Sequence, residues 1–254
     1  MVKRLQTPKI GLKIGSALYN GPNKVDSNVV EIIPKDLDFQ FNRKTLDKFK
    51  KALSGKERSM HTSTKRVFTE TDKKLRELEI LILRAEILAS EYLGCQELIV
   101  HLTQEKLRKT EIKQFEEILR FAKRHNVEII YEMNKKFNGK NFLYNLSQFP
   151  KLKVNLDIGH LNTAIINKTL KIPVADFIKK INQRIVYLHL HNNEGEDEHK
   201  SLEEGSLDWR SVLNQVDLSK VRKIILELRD YQKMHGDAKL IKEYLKERVK
   251  CNKK

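Results

Sequence analysis

Short apolar, β-branched runs recur along the chain, and between them apolar residues return every three or four positions. Eight runs predict strands: KIGLKIGSAL over 9–18, NVVEIIP over 28–34, RSMHT over 58–62, ELIVHL over 97–102, VEIIYEM over 127–133, KVNLDI over 153–158, RIVYLHL over 184–190 and KIILEL over 223–228. The third is the shortest and most polar. From the fourth onward the repeat is about 25 to 40 residues, the length of one strand plus a crossover helix.

Two of the intervening stretches carry clear helical patterns. Over 69–93, Leu75, Leu78, Ile82, Ala85 and Leu88 form a stripe; Thr69 and Asp72 are candidate caps at its start, and Gly94 sits where a left-handed C-cap belongs. Over 110–124, Ile112, Phe115, Leu119 and Ala122 repeat the pattern. An open doubly wound sheet would follow its first strand with a Gly-rich phosphate loop, and none is present. The alternation therefore predicts an α/β fold, a (β/α)8 TIM barrel. No Pro/Gly/Ser-rich linker divides residues 1–254, which read as a single barrel domain.

Composition narrows this picture. Of 254 residues, 39% are hydrophobic and 33% charged, as in a globular chain with a heavily charged surface. There is no apolar run of the ~18 residues that a membrane span needs, and the start, MVKRLQTPKIGLKIG, lacks the apolar core of a signal peptide. The expectation is a cytoplasmic protein with no membrane partner, read as a monomer. Cys95 and Cys251 form no paired metal motif and are expected to be free thiols. The formal net charge of +16 suits a polyanionic partner, but the lysines are spread along the chain. Charge alone leaves nucleic acid and a merely well-solvated surface both open.

The candidate chemistry lies at the strand ends. His61, His101, Glu132, Asp157, His189 and Glu227 close the third to eighth predicted strands, at the C-terminal face where barrel enzymes build their sites. Converging carboxylates at the end of apolar strands repel one another, and a divalent cation removes that conflict. A His/Asp/Glu set without cysteine suits zinc, manganese or iron. His160 lies three residues after Asp157, and Asp197 and His199 form a D-x-H pair in the acidic loop HNNEGEDEH, so these three extend the set. His191 reads either as a ligand or as a residue that orients one. His125, at the end of a basic helix, reads as a partner of the helix dipole, and His235 carries no such signal. Glu194, Glu196, Glu198, Glu203 and Glu204 read as solvated loop charges, Trp209 as packing a helix start, and Asp208 as its N-cap.

At NLDIGH, YLHLHNNEGEDEH followed by EGSLDW, and IILEL, the sequence resembles the xylose isomerase-like barrel superfamily and, within it, the endonuclease IV family of apurinic/apyrimidinic endonucleases. The likeness runs from about residue 58 to 228. The superfamily pattern implies Glu132, Asp157, His189 and Glu227 as ligands of one ion. The endonuclease IV pattern implies two or three divalent ions, zinc before manganese or iron: one on His61, His101 and a bridging Glu132, a second on the superfamily four, a third on His160, Asp197 and His199. The chain departs from that family at Thr62-Ser63-Thr64, where a tyrosine is usual, at Glu203-Glu204-Gly205 in place of Gly-x-Gly, and in a first strand without histidine.

The resemblance implies a DNA repair hydrolase that cuts the phosphodiester 5′ to an abasic site, with Glu132 and Glu227 as catalytic carboxylates and abasic DNA as partner. The alternative is a single-metal sugar isomerase or epimerase of the same superfamily, in which the same two glutamates transfer protons and His61 and His101 line the pocket. A catalytically silent nucleic-acid-binding barrel is the third reading.

Overall fold

A computed structural model describes residues 7–15, 27–34, 42–63 and 67–251. Residues 16–18 of the first predicted strand, Thr64 and the Cys251 side chain lie outside what it describes. All eight predicted strands form: β1 (Lys9–Gly15), β2 (Val29–Ile33), β3 (Glu57–His61), β4 (Glu97–His101), β5 (Glu128–Glu132), β6 (Lys153–Asp157), β7 (Ile185–Leu190) and β8 (Lys223–Leu226). Each pairs in parallel with the next, and β8 returns to β1 with Leu12 opposite Leu226, so the sheet closes into a (β/α)8 TIM barrel. The helices described are α1 (Arg43–Ala52), α2 (Lys73–Leu93), α3 (Lys109–Arg124), α4 (Gly139–Ser147), α5 (Ile158–Ile166), α6 (Val174–Ile181), α7 (Trp209–Asn214) and α8 (Tyr231–Cys251). No described helix is long and apolar enough to cross a membrane.

Successive side chains of a strand point to opposite faces, and here both faces are buried, which explains the near-continuous apolar runs. Outward residues such as Leu98, Val100, Tyr131, Val154, Leu156 and Ile224 pack beneath the helices in the main core. Inward residues Val29, Ile99, Ile130, Tyr187 and Ile225 make a second, separate cluster inside the barrel. There Ser59 and Tyr187 share a hydrogen bond of 2.5 Å between hydroxyls. The polar third strand fits for the same reason: Met60 packs outward while Ser59 and His61 take inward polar positions.

The helix after β3 corrects one expectation. Its N-cap is Asp72, which accepts from the amides of Lys74 and Leu75, and Gly94 caps its end at φ 71°; Thr69 instead donates its hydroxyl to Glu79. The stripe read from the sequence is not the buried face, since Leu75, Leu78 and Leu88 are 49%, 51% and 44% exposed. Leu83, Glu86, Ile87 and Ser90 face inward. The Glu86 carboxylate accepts from the Ser63 amide at 2.6 Å and from the Thr62 and Ser63 hydroxyls, tying this face of α2 to the end of β3. Over α3 the expected pattern holds, with Phe115 and Ala122 buried.

Candidate metal centre

Because strand side chains alternate, one inward position near the C-terminal end of each strand contributes to one layer at the mouth. That layer is Lys13, Glu31, His61, His101, Glu132, Asp157, His189 and, one residue past β8, Glu227. Six of these are the strand-end residues singled out in the sequence. The first turn of α5, directly after β6, adds His160, and the loop after β7 adds the pair Asp197 and His199. The structure thus brings all nine proposed ligands into one continuous cluster.

Four imidazoles are each tethered by Nδ1 to a backbone carbonyl: His61 to Thr62 at 2.9 Å, His101 to Glu132 at 3.3 Å, His160 to Met133 at 2.8 Å and His199 to Glu227 at 2.8 Å. A carbonyl only accepts, so Nδ1 carries the hydrogen and Nε2 is turned inward. His61 Nε2 lies 3.1 Å from Glu132 Oε2, and His101 Nε2 lies 3.9 Å from Glu132 Oε1. His160 and His199 aim Nε2 at the same oxygen, Asp197 Oδ1, at 3.6 and 3.1 Å.

At the centre, His189 Nδ1 faces Glu227 Oε2 at 3.1 Å, Glu132 Oε1 at 3.4 Å and Asp157 Oδ2 at 3.8 Å. Among the described residues these four buried atoms find no hydrogen-bond partner, and neither does Asp197 Oδ1. Buried polar atoms left without partners are costly. Three carboxylate oxygens and one imidazole nitrogen converging in this way are the donor set of a divalent cation. These buried clusters are suited to hold such an ion.

The electrostatics point the same way. Burial pushes the Glu132 carboxyl up, but the imidazoles of His189 and His101 outweigh it and hold the group well below the ordinary carboxylate range. Burial likewise opposes ionisation of Glu227, and Lys13 and His189 outweigh it. Asp157 is lowered by His160 and His191 against its own burial. Burial depresses His160 and His189, yet the facing acids, Asp157 for one and Glu31 for the other, raise both well above the usual imidazole value. His101 is instead dominated by burial, which lowers it to about 4. Metal binding at groups of this kind competes with protons.

Three residues complete the site. His191, open between two roles in the sequence, is fully buried with Nε2 3.1 Å from Asp157 Oδ1, and its ring stacks on His199 at 4.1 Å between centroids. Gly159 makes room for it: a Cβ at that position would fall 2.0 Å from the His191 ring. Lys13 and Glu31 were missed by sequence reasoning. The Lys13 ammonium is 2.7 Å from Glu227 Oε1 and 3.6 Å from Glu31 Oε1, and Glu31 accepts a hydrogen bond from His189 Nε2 through Oε2 at 3.1 Å. Burial works against the Lys13 charge, but Glu227 and Glu31 raise its pKa nonetheless. Their signal was the two-residue alternation that places Lys13 with Gly11 and Glu31 with Val29 on the inward face.

Residues away from the cluster keep their structural parts. His125 caps the end of α3 and lies 2.9 Å from Glu91. Asp208 caps α7, and Trp209 is buried beside it. Glu203, read as a solvated charge, accepts from the Trp209 indole at 2.9 Å.

Comparison with known proteins follows the fold. The description of xylose isomerase-like TIM barrels matches residues 24–248. An uncharacterised protein of Methanocaldococcus jannaschii is 34% identical over 110 residues, a stretch that takes in 42% of this chain and only 38% of that relative. Among solved structures, a D-tagatose 3-epimerase-like protein superposes with a TM-score of 0.77 at 19% identity, covering 94% of this chain and 97% of the other. Endonuclease IV of Thermus thermophilus does so with a TM-score of 0.65 at 15% identity, covering 94% and 100%. At these identities the structural likeness shows the fold alone. The match along most of the sequence shows more: this chain belongs to the xylose isomerase-like TIM barrel family.

Proposed function

We propose that the protein is a divalent-metal-dependent isomerase or epimerase of a small sugar, with the ion held by Glu132, Asp157, His189 and Glu227. The observation that carries this reading is the convergence on one point of four buried ligand atoms that find no hydrogen-bond partner among the described residues. A cavity of about 490 Å³ opens over that point, lined by Lys13, His61, His101, Lys135 and His199 among others, a size suited to a small polar ligand. The fold shared with a D-tagatose 3-epimerase-like protein supports it. A bound divalent ion would supply Lewis-acid polarisation of the sugar's carbonyl and hydroxyl oxygens. Glu132 and Glu227 reach the centre from β5 and from the end of β8, both held ionised, the state a base requires. One takes the proton from the substrate carbon and the other returns it. Lys13 keeps Glu227 oriented through its Oε1, and His61 and His101 bound the pocket.

A second reading has its own observation. Asp197 Oδ1 sits without a hydrogen bond between the Nε2 atoms of His160 and His199, a further cation site that a single-ion sugar enzyme does not need. It favours the endonuclease IV-like activity: two or three ions, zinc first, and hydrolysis of the DNA phosphodiester 5′ to an abasic site. Lys135 and Arg229, beside Asp197 at the rim, would then meet phosphate groups.

Metal content per purified chain, measured with both assays, separates the two. The sugar reading expects one tightly held ion, turnover in an aldose–ketose and 3-epimerisation screen, and an uncut abasic duplex. Glu132→Gln should lower that turnover by about two to four orders of magnitude. Two or three ions per chain, with EDTA-sensitive nicking of the duplex lost in His160→Ala, would replace it with the second reading.

A further inference from the structure

His189 differs from the other imidazoles that face the centre. His61, His101, His160 and His199 are tethered by backbone carbonyls, but His189 is tethered by a carboxylate, Glu31, whose two oxygens lie 3.0 and 3.1 Å from its Nε2. The orientation also differs: His189 offers Nδ1 to the centre, whereas His61 and His101 turn Nε2 to Glu132, and His160 and His199 turn Nε2 to Asp197. Glu31 is fully buried on β2, at the far nitrogen of the imidazole as seen from the cluster. Lys13 stands 3.6 Å from Glu31 and 2.7 Å from Glu227 Oε1.

We infer that Glu31 is a positioning residue which sets two of the four central ligands at once. Through His189 Nε2–H it fixes the tautomer and the ring, so that the Nδ1 lone pair faces the ion. Through Lys13 it fixes the ammonium that occupies Glu227 Oε1, leaving Oε2 as the oxygen turned to the centre. A carboxylate behind a ligating histidine also raises the donor strength of the ring. The ion pairs of Glu31 among the described residues run to His189 and Lys13, and both lead to ligands. The inference rests on the reading that the quartet holds a divalent ion.

The test is zinc affinity of the full chain by chelator competition, with thermal unfolding of the metal-free proteins to establish that each variant is folded. His189→Ala tests the quartet itself and should weaken zinc binding severely. Glu31→Ala should weaken it about 10- to 100-fold, the usual cost of removing a partner behind a metal ligand. In a His189→Ala background the same change should cost clearly less, because only the route through Lys13 and Glu227 is left. Glu31→Gln, nearly isosteric and still able to accept from Nε2–H, guards against a misfolded Ala variant. It should retain the fold, recover most of the affinity and shift the visible absorption of the cobalt-substituted protein. Folded Glu31→Ala with wild-type affinity, or effects of Glu31→Ala and His189→Ala that simply multiply, would overturn the role given to Glu31. So would a Gln variant indistinguishable from wild type in both affinity and cobalt spectrum. If His189→Ala itself leaves zinc binding intact, the quartet reading falls first.

Discussion

Both ends of the barrel bury charged groups, and they treat them in opposite ways. At the N-terminal end Lys223, 2% exposed, sits 2.8 Å from Glu97 and 3.2 Å from Glu57, while Lys9 and Arg222 pair with Glu57 and Glu128. Each of these acids has a lysine or arginine from another part of the same rim. At the C-terminal mouth, among the described residues, Glu31, Glu132, Asp157 and Glu227 have one close-lying buried ammonium, Lys13, and otherwise imidazoles. One end is neutralised by permanent cations of the chain. The other is left to groups that give up a proton when something else supplies the charge. The same strands, alternating in the same way, thus make a closed floor and a receptive mouth.

The largest expected effect breaks the floor. Lys223→Met strands the buried Glu97 carboxylate, and loss of one partner from a buried pair costs about 3 to 5 kcal/mol. Urea unfolding should show that loss with and without added zinc, because the floor takes no part in metal binding. A loss that zinc abolishes would mean that the two ends are not independent.

This asymmetry marks how far the sequence could be read. The eight strands were legible because buried parallel strands are apolar on both faces, and His61, His101, Glu132, Asp157, His189 and Glu227 stood out as polar residues at their ends. Lys13 and Glu31 stood out less because they lie within apolar strands, each followed by further apolar or small residues: Ile14 and Gly15, Ile32 and Ile33. Their role depends on register, and barrel register is set by pairings between separate segments, such as Lys13 with Glu31. The buried face of α2 escaped for a related reason. Glu86 faces inward because Thr62 and Ser63 require an acceptor there, and no helical period within the segment reports a partner outside it.

A smaller effect sharpens the comparison at the mouth. A ligand that binds only the folded state stabilises it by mass action, by about 2.7 kcal/mol at a hundred times its dissociation constant. Adding zinc to metal-free protein should raise the unfolding midpoint accordingly. The gain should disappear in His189→Ala but survive in Lys223→Met. An equal gain in His189→Ala would move the metal away from the quartet.

The smallest effect concerns pH at the floor. Partial burial pushes the Glu57 carboxyl up, but its hydrogen bond with Lys9 and the nearby Lys223 outweigh this and hold it below its ordinary 4.5. A carboxyl lowered on folding contributes stability that is present above its unfolded value and lost as pH falls through the folded one. With Glu57 over a third exposed, solvent screening keeps the contribution under about 1 kcal/mol. The stability gap between wild type and Glu57→Gln should therefore be present at neutral pH and shrink as the pH drops below 4.5. A gap unchanged down to about pH 3 would assign the effect to packing.

The contact between Gly159 and His191 constrains how this molecule can change over generations. With the ring where a methyl group would have to go, an alanine at 159 is barred while histidine occupies 191, although a smaller residue at 191 lifts the bar. The order of the two replacements is therefore fixed. Lineages descending from this chain should either keep both residues or lose the histidine first, which makes this pair a marker of which relatives retain the same mouth.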